Sequence, residues 1–244
     1  MTAEVLRRGR WLSWVGFLVA LVLYVSTFVY GAAIWDRIPD RIPLHFGIDG
    51  EATRWGEKTF GNVFFPQLVG GAGLFTLPII AAILPGLMEV PKDASDWTRL
   101  RIEASTRGAR DGMGWVAAAT VALIGWTSLM AWHPAGGVPI WPVGVLLLAI
   151  FAGLWLAYVR WRRWGQRVAE LHHIHPTPEE EAEEALWLPM GIYNNPEDPR
   201  VFPPKREGYG VGTTVNWGRP AGKLFVALIL LIVLVPVVLV FLLG

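Results

Sequence analysis

The sequence contains no cysteine among its 244 residues, so disulfide bonds, thiol catalysis and Cys-ligated zinc are excluded. Charged residues are also scarce: they make up 17% of the chain, whereas about 25% is usual for soluble domains. The 21 Lys and Arg residues are balanced by 20 Asp and Glu residues. Because the chain has no excess of basic residues, nothing indicates a nucleic-acid partner.

Long apolar segments dominate the composition instead. Hydrophobic residues make up 53% of the chain, 14 residues are tryptophan, and the mean hydropathy is +0.42. Five segments have close to the ~20 apolar residues that a hydrocarbon core requires. These segments are residues 11–34, 63–87, 113–132, 138–159 and 221–243. The sequence therefore predicts an all-α polytopic membrane protein with five transmembrane helices, and a re-entrant segment near residues 60–66 is the main alternative to this count.

The predicted domains follow these segments. Residues 1–112 form an N-terminal membrane domain with an outer loop at residues 35–62, and residues 113–160 form a pair of transmembrane helices. Residues 161–220 form a small cytoplasmic domain of irregular and β structure, and residues 221–244 form the last transmembrane helix. We expect no cleaved signal peptide, because the first apolar segment can span the membrane and no small-residue cleavage motif follows it.

The centres of the apolar segments lack residues that carry chemistry. No Asp, Glu, Lys, Arg or His lies deep inside any of them, although proton-coupled and ion-coupled transport usually needs such a residue. The chain also lacks a phosphate-binding glycine loop, an HExxH motif and a Gly-x-Ser-x-Gly motif. The sequence therefore predicts a protein that is not an enzyme and that needs no cofactor.

The densest polar segment, residues 38–59, separates the first two apolar segments. Pro39 and Pro43 fix their own φ angles and disfavour helix at the residues before them, so this part is predicted to be extended. Two glycines and an aspartate within residues 47–50 then allow a tight turn. We expect a compact cap over the outer ends of the spans. Its candidate binding residues are His45, Asp49, Glu51, Arg54 and Trp55.

Two groups of side chains contain potential metal ligands. His45, Asp49 and Glu51 are suitable ligand types at a turn, but their spacing fits no standard metal site. A structural role for His45 is the more common explanation. Three histidines at residues 172, 173 and 175 also suggest a metal, yet a solvated or pH-sensitive helix end explains them more simply. We therefore predict no metal site.

Local signals predict order in the segments expected to be cytoplasmic. Thr177, Pro178 and Glu180 match a capping box at the start of a short helix. The residues 200–202 and 213–217 have strand-like composition and predict a small hairpin. Basic residues near the ends of the spans are expected to contact lipid headgroups. They are Arg160, Arg162, Arg163, Lys205 and Arg206.

The connection at residues 89–112 is also expected to be helical in part. Asp93 or Ser95 is suited to cap such a helix. The five basic residues of this connection favour a solvated connector that sets the topology, and contact with anionic lipid is the alternative.

Two sets of motifs resemble those of a known family. The Ile-Pro-x-x-Ile-Pro, His-Phe and Arg-Trp-Gly motifs of residues 38–59 resemble the N-terminal domain of SdpI-like membrane proteins. The Gly-Ile-Tyr-x-Asn-Pro and Asn-Trp-Gly-Arg-Pro blocks of residues 191–220 resemble a short domain found in some members. The resemblance implies a bacterial cytoplasmic-membrane protein, and the best-known members act in bacteriocin immunity and signalling.

Two functions are compatible with this resemblance. The first is a non-enzymatic protein of SdpI-like type that binds a peptide or protein partner at the membrane, in immunity or signalling. The alternative is an accessory structural subunit of a larger membrane protein complex. Membrane lipids are expected partners in both cases.

The distribution of basic residues predicts the orientation of the chain. With a cytoplasmic N-terminus and an outside C-terminus, all but four of the 21 Lys and Arg residues lie on the inner side. The four exceptions are Arg37, Arg41, Arg54 and Lys58. The positive-inside rule therefore places the segment of residues 38–59 outside the cell.

Labelling of single cysteines tests this orientation. A cysteine at Thr53 should react in intact cells with a membrane-impermeant maleimide, whereas one at Ala185 should react only after the cells are permeabilised. The reverse pattern would overturn the orientation. The natural chain serves as the blank, because it has no cysteine of its own.

Overall fold

The computed structural model describes residues 3–47, 49–88, 90–133, 139, 141–206 and 212–243. Its helices are α1 (Ala3–Arg7), α2 (Val15–Ala33), α3 (Phe60–Leu87), α4 (Asp96–Trp132), α5 (Trp141–Leu171), α6 (Pro178–Glu184) and α7 (Pro220–Leu243). Its strands are β1 (Arg41–Phe46), β2 (Ala52–Glu57), β3 (Trp187–Leu188) and β4 (Ile192–Tyr193). Short 3-10 helices cover Arg10–Trp14, Trp35–Arg37 and Pro189–Gly191.

The chain divides into two compact units. Residues 9–82 and 107–159 form one of them, which we call the bundle unit. Residues 1–8, 83–106 and 160–244 form the other, which we call the network unit. Strands β1 and β2 pair with each other in the bundle unit, and β3 pairs with β4 in the network unit.

Four helical segments of the described chain are long and apolar enough to cross a membrane. They are Val5–Ala33, Phe60–Gly86, Asp96–Trp132 and Trp141–Leu171. The protein is thus a polytopic α-helical membrane protein, as predicted. The described apolar part of α7, Pro220–Ile232, is shorter than these four, so the fifth span stays a prediction.

The boundaries of the second and fourth spans differ from those predicted. Residues 60–66 form the first turns of α3, so they are a continuous part of that helix and not a re-entrant segment. The predicted start of the fourth span, at residue 138, lies outside the described residues, and α5 begins at Trp141.

Glycines allow the helices of the bundle unit to approach closely. A methyl group at Gly16 of α2 would lie 2.6 Å from the backbone carbonyl carbon of Gly114 in α4. One at Gly71 of α3 would lie 2.7 Å from the Tyr24 hydroxyl oxygen on α2. The hydrophobic effect does not drive helices together in lipid, so such close packing contributes much of the association energy.

Polar side chains join the same helices. The Tyr24 hydroxyl donates to the backbone oxygen of Gln67 at 3.1 Å, and the Gln67 side-chain amide donates to the Ser128 hydroxyl at 2.7 Å. The Trp132 indole N–H donates to the backbone oxygen of Val63 at 3.2 Å. These bonds connect α2 to α3 and α3 to α4, because each one crosses from one helix to the next.

The connection predicted before the third span is part of that span's helix. Ser95 caps its start, since the Ser95 hydroxyl accepts the backbone N–H of Thr98 at 3.0 Å. α4 then runs without a break to Trp132. Its early residues include Leu100, which is 2% exposed, and Arg107, which is fully buried. The prediction of a solvated connector is therefore wrong. The helix of the third span extends back through the charged residues to Asp96, and one side of this extension is buried against other parts of the protein.

The network unit confirms two local predictions. The Thr177 hydroxyl accepts the backbone N–H of Glu180, and the Glu180 carboxylate accepts the backbone N–H of Thr177, so the capping box is formed. Residues 201–205 pair with residues 212–216, as in the predicted hairpin. The Thr214 N–H donates to the Pro203 oxygen at 2.9 Å, and the Pro204–Thr213 pair forms an antiparallel bridge. Residues 207–211, between the two paired segments, lie outside the described residues.

A methyl group at the α2–α4 contact should destabilise the bundle unit. We predict that Gly16→Ala lowers the free energy of unfolding by roughly 1–3 kcal/mol, because the added carbon must displace the α4 backbone. Thermal unfolding of the purified protein in mild detergent measures this change.

Gly73→Ala in α3 is the matched control. A methyl group at residue 73 meets nothing within 4 Å. Because alanine favours a helix more than glycine does, the unfolding temperature of the Gly73→Ala protein should equal or exceed that of the natural protein. Equal behaviour of the two variants would show that α2 and α4 do not touch at Gly16.

Candidate functional site

The segment singled out by its prolines and glycines forms a β-hairpin, which we call the motif hairpin (Arg41–Glu57). Strands β1 and β2 pair in antiparallel register, with an irregularity between Pro43 and His45. At the turn, the Gly47 N–H donates to the Glu51 oxygen at 2.7 Å, and Gly50 has a φ of 81°. The tight turn was predicted, although Ile48 within it lies outside the described residues. The second strand was not predicted, because its sequence has weak alternation.

The base of the motif hairpin rests on an apolar cluster of the bundle unit. The cluster consists of Ile34, Ile38, Ile42, Val63, Phe64 and Trp132, each at most 7% exposed. Phe64 stacks on Phe28 at 4.4 Å between ring centroids and meets Trp132 edge to face at 5.8 Å. Burial of Ile42 at 1% exposure therefore fixes β1 to the ends of the helices.

Lys58 closes the base of the motif hairpin. Its ammonium donates to the backbone oxygens of Ile38 at 3.0 Å and Trp35 at 3.4 Å, and it lies 3.7 Å from the Asp40 carboxylate. The Lys58 N–H also donates to the Asp40 backbone oxygen at 2.8 Å. The lysine thus joins the chain that enters the hairpin to the chain that leaves it.

The structure places the titratable candidates near the turn but does not bring them together around one point. His45 is exposed, and its Nδ1 lies 2.7 Å from the Thr53 hydroxyl. The Asp49 carboxylate accepts the backbone N–H of Glu51 at 2.9 Å. Among the described residues, no three His, Asp or Glu side chains form a group that could hold a metal ion. The contact that the His45 ring makes is thus with the side chain of Thr53 on the opposite strand.

Arg54 and Trp55 are the two large exposed candidate side chains of β2. Trp55 lies opposite Pro43 and is 45% exposed, and Arg54 is exposed beside it. Neighbouring residues of a strand point to opposite faces, so each face of the motif hairpin presents one large candidate side chain. Tryptophan and arginine are the residue types most enriched among binding hot spots.

Four of the five expected headgroup residues are exposed. Arg160, Arg162 and Arg163 are exposed near the C-terminal part of α5, and Lys205 is exposed as well. The Arg160 guanidinium also lies over the ring of Trp161, 5.1 Å from the ring centroid. This arrangement suits the boundary between water and lipid.

Arg206 differs from this expectation. Its side chain is only 5% exposed, and its guanidinium donates to Glu183 at 3.0 Å and to Glu184 at 2.7 Å. It also lies over the Trp187 ring. The prediction of lipid contact is wrong for Arg206, because the acidic helix α6 supplies the anions that this guanidinium binds.

Four charged residues of α4 are buried although the sequence did not predict it, and one of them is Glu103, at 8% exposure. Arg107 is fully buried, and Arg110 and Asp111 are 5% and 1% exposed. The Arg110 Nε donates to the backbone oxygen of Ala81 at 3.3 Å, and its guanidinium lies 5.0 Å from the Trp14 ring centroid. Residues 107, 110, 111 and 114 share one face of a helix. If the helix of the third span is continued towards the N-terminus, this shared face predicts that the charged residues on it are buried.

Two carboxylates organise the network unit. Glu180 accepts from the hydroxyls of Ser95 at 2.5 Å and Thr98 at 2.7 Å, and from the Thr177 N–H at 2.9 Å. Burial alone would raise the pKa of Glu180, but these hydrogen bonds outweigh it and hold the pKa below its ordinary value. Glu180 thereby joins the starts of α4 and α6.

Asp198 accepts from the Arg200 guanidinium at 2.9 Å and 2.8 Å, from the Arg200 backbone N–H and from the Tyr193 hydroxyl. The side-chain and backbone hydrogen bonds of Arg200 hold the pKa of Asp198 well below its usual range. Both carboxylates are therefore ionised at neutral pH and act as structural anchors.

Asn216 is the centre of the segment that leads into α7. It is fully buried, and its side-chain amide donates to the backbone oxygens of Asn195, Asp198 and Arg200. Its side-chain oxygen accepts the backbone N–H groups of Asn195 and Gly218. One side chain thus satisfies five backbone groups of a segment that has little regular secondary structure.

The fold and these sites define a multi-pass α-helical membrane protein whose described residues include two small two-stranded sheets. Residues 22–70, which include the motif hairpin, match a family model described as a domain of unknown function (DUF1648). Residues 196–223, which include Asn216 and the start of α7, match a family of unknown function (DUF5808). Both families are typical of SdpI-like membrane proteins. The comparisons with curated proteins and with solved structures gave no significant match.

Removal of the Lys58 ammonium should loosen the motif hairpin. We predict that Lys58→Met lowers the free energy of unfolding by roughly 1.5–3 kcal/mol, because methionine keeps the apolar stem but loses the charged donors to Ile38 and Trp35. Chemical unfolding in detergent measures the loss.

Glu57→Ala is the control for this substitution, since Glu57 is an exposed neighbour on the same hairpin. It should change the free energy of unfolding by less than about 0.5 kcal/mol. If Lys58→Met were as mild as Glu57→Ala, the base of the hairpin would not depend on this lysine.

Proposed function

We propose that this protein binds a peptide or protein partner at the membrane and catalyses no reaction. The motif hairpin is the binding element. The observation that carries the proposal is the way in which the motif hairpin is built. Lys58 and the buried Ile42 fix its base, and Arg54 and Trp55 are exposed on its second strand. A partner that meets a rigid surface loses less conformational entropy than one that must order a loop.

The hydrogen bonds of the motif hairpin support binding over catalysis. A general acid or base needs a neighbour that tunes it and an open position for a reacting atom. Two titratable candidates of the hairpin instead have local contacts: the His45 ring lies beside the Thr53 hydroxyl, and the Asp49 carboxylate accepts the backbone N–H of Glu51. They hold the turn in shape and leave the larger exposed side chains to make contact with a partner.

The matched families support a finer version of the proposal. DUF1648 covers the whole motif hairpin, and the pair of families is typical of SdpI-like proteins. We infer that the partner belongs to an immunity or signalling process of a bacterial cell. With the orientation expected from the basic residues, the partner reaches the hairpin from outside the cytoplasmic membrane.

An accessory role in a larger membrane complex is the second candidate. It is favoured by an apolar stripe on α5, where Val145, Leu148, Phe151 and Trp155 are 49–71% exposed and recur at helical spacing. Lipid covers such a stripe by default, but a neighbouring subunit would cover it equally well. In this case the hairpin would contact a permanent partner protein.

Site-specific crosslinking tests the binding role. Thr53→Cys in the cysteine-free chain carries a photoactivatable crosslinker on the motif hairpin, and illumination of intact membranes should give one discrete adduct. Adding Trp55→Ala should reduce the yield about tenfold or more, because truncation of a hot-spot residue costs about 2 kcal/mol or more. Adding Glu57→Ala should leave the yield unchanged.

The size of the adduct separates the two candidates. A peptide or single partner supports the binding role, whereas a stoichiometric set of membrane subunits that also copurifies without crosslinking supports the accessory role. The proposal fails if Trp55→Ala leaves every adduct unchanged, or if the same adducts arise from a crosslinker at Glu197, which is exposed in the network unit.

A further inference from the structure

An exposed apolar tip projects from the network unit. It is the β3–β4 turn, residues 188–192, which we call the apolar tip. Leu188 is 38% exposed, Met190 is 51% exposed and Ile192 is 43% exposed. This surface has no role in the proposed function. A contiguous group of exposed apolar side chains commonly marks an interaction site.

The fold holds these side chains outwards. Trp187 pairs with Tyr193 and Leu188 pairs with Ile192, and the Trp187 and Tyr193 rings meet edge to face at 5.0 Å. Met190 adopts a φ of 64°, a left-handed conformation that non-glycine residues seldom adopt. The aromatic pair therefore occupies one face of the hairpin, and Leu188 and Ile192 lie on the opposite, exposed face.

The tip also lies close to the start of α7. The Trp217 N–H donates to the Tyr193 oxygen at 2.8 Å, and α7 begins three residues later at Pro220. Met190 is three residues from Tyr193, so it lies within about 10 Å of this junction by chain length alone. If α7 enters the bilayer as its sequence predicts, the tip lies at the level of the membrane surface.

Other residues beside this junction have the character of a membrane interface. Trp217 is 38% exposed and Phe202 is 47% exposed, and Phe202 meets Phe225 of α7 edge to face at 5.0 Å. Exposed aromatic residues concentrate where the headgroups meet the acyl chains. No charged residue occurs between Glu184 and Glu197, so the tip can enter this layer without burying a charge.

We propose that the apolar tip inserts into the interfacial layer of the lipid bilayer beside α7. The contact is apolar, so it differs from the headgroup contact expected of Arg160, Arg162 and Arg163. It should therefore be insensitive to the fraction of anionic lipid and to salt. The network unit would then contact the membrane at two places, at α7 and at the apolar tip.

Environment-sensitive labels in the full-length protein test this proposal. Single cysteines at Met190 and Leu188 carry an NBD fluorophore, and Glu197, exposed in the same segment, is the control position. The proteins are placed in nanodiscs of phosphatidylcholine with or without phosphatidylglycerol. Labels at Met190 and Leu188 should show blue-shifted emission, quenching by doxyl-labelled lipid and protection from iodide, whatever the lipid charge.

The label at Glu197 should show the opposite pattern, with iodide quenching and little effect of doxyl lipid. The proposal is overturned if iodide quenches all three positions equally. It is also overturned if the tip labels are protected in native membranes but not in pure lipid, because a protein partner would then cover the tip. The use of two tip positions guards against a local effect of replacing Met190.

Discussion

Close packing of helix backbones is the constraint on which the rest of the bundle unit depends. Lipid is as apolar as the helices, so their association relies on contact and on hydrogen bonds between them. Gly16 against Gly114 supplies the contact, and the Gln67–Ser128 and Trp132–Val63 hydrogen bonds supply the polar links. Trp132 also belongs to the apolar cluster under β1, so the same packing that joins the helices supports the motif hairpin.

Backbone N–H and C=O groups of irregular segments need hydrogen-bond partners where they are buried. In each of the two units, one polar side chain supplies several of these hydrogen bonds. Lys58 donates to the backbone oxygens of two residues that precede the motif hairpin. Asn216 holds five backbone groups beside α7. In each unit one central side chain fixes an irregular segment, which leaves nearby aromatic and apolar side chains exposed for contact with a partner or with lipid.

Features that depend on neighbouring residues could be predicted from the sequence, and features that depend on distant ones could not. The Thr177 capping box and the turn at Gly50 follow from residues within a few positions. The burial of Arg206 depends on carboxylates more than twenty residues away. Arg107 was assigned to a solvated, partly helical connection because its charge was given more weight than the helical phase. Only that phase shows that α4 continues through Arg107 with this side buried.

The central claim is that the motif hairpin is a rigid platform supported by the bundle unit. Hydrogen–deuterium exchange of the full-length protein in nanodiscs tests it most directly. The amides of Gly47 and Lys58, which donate to Glu51 and Asp40, should exchange slowly, as should those in the middle of α4. Exchange of the hairpin amides at the rate of an unstructured peptide, with α4 still protected, would contradict the account.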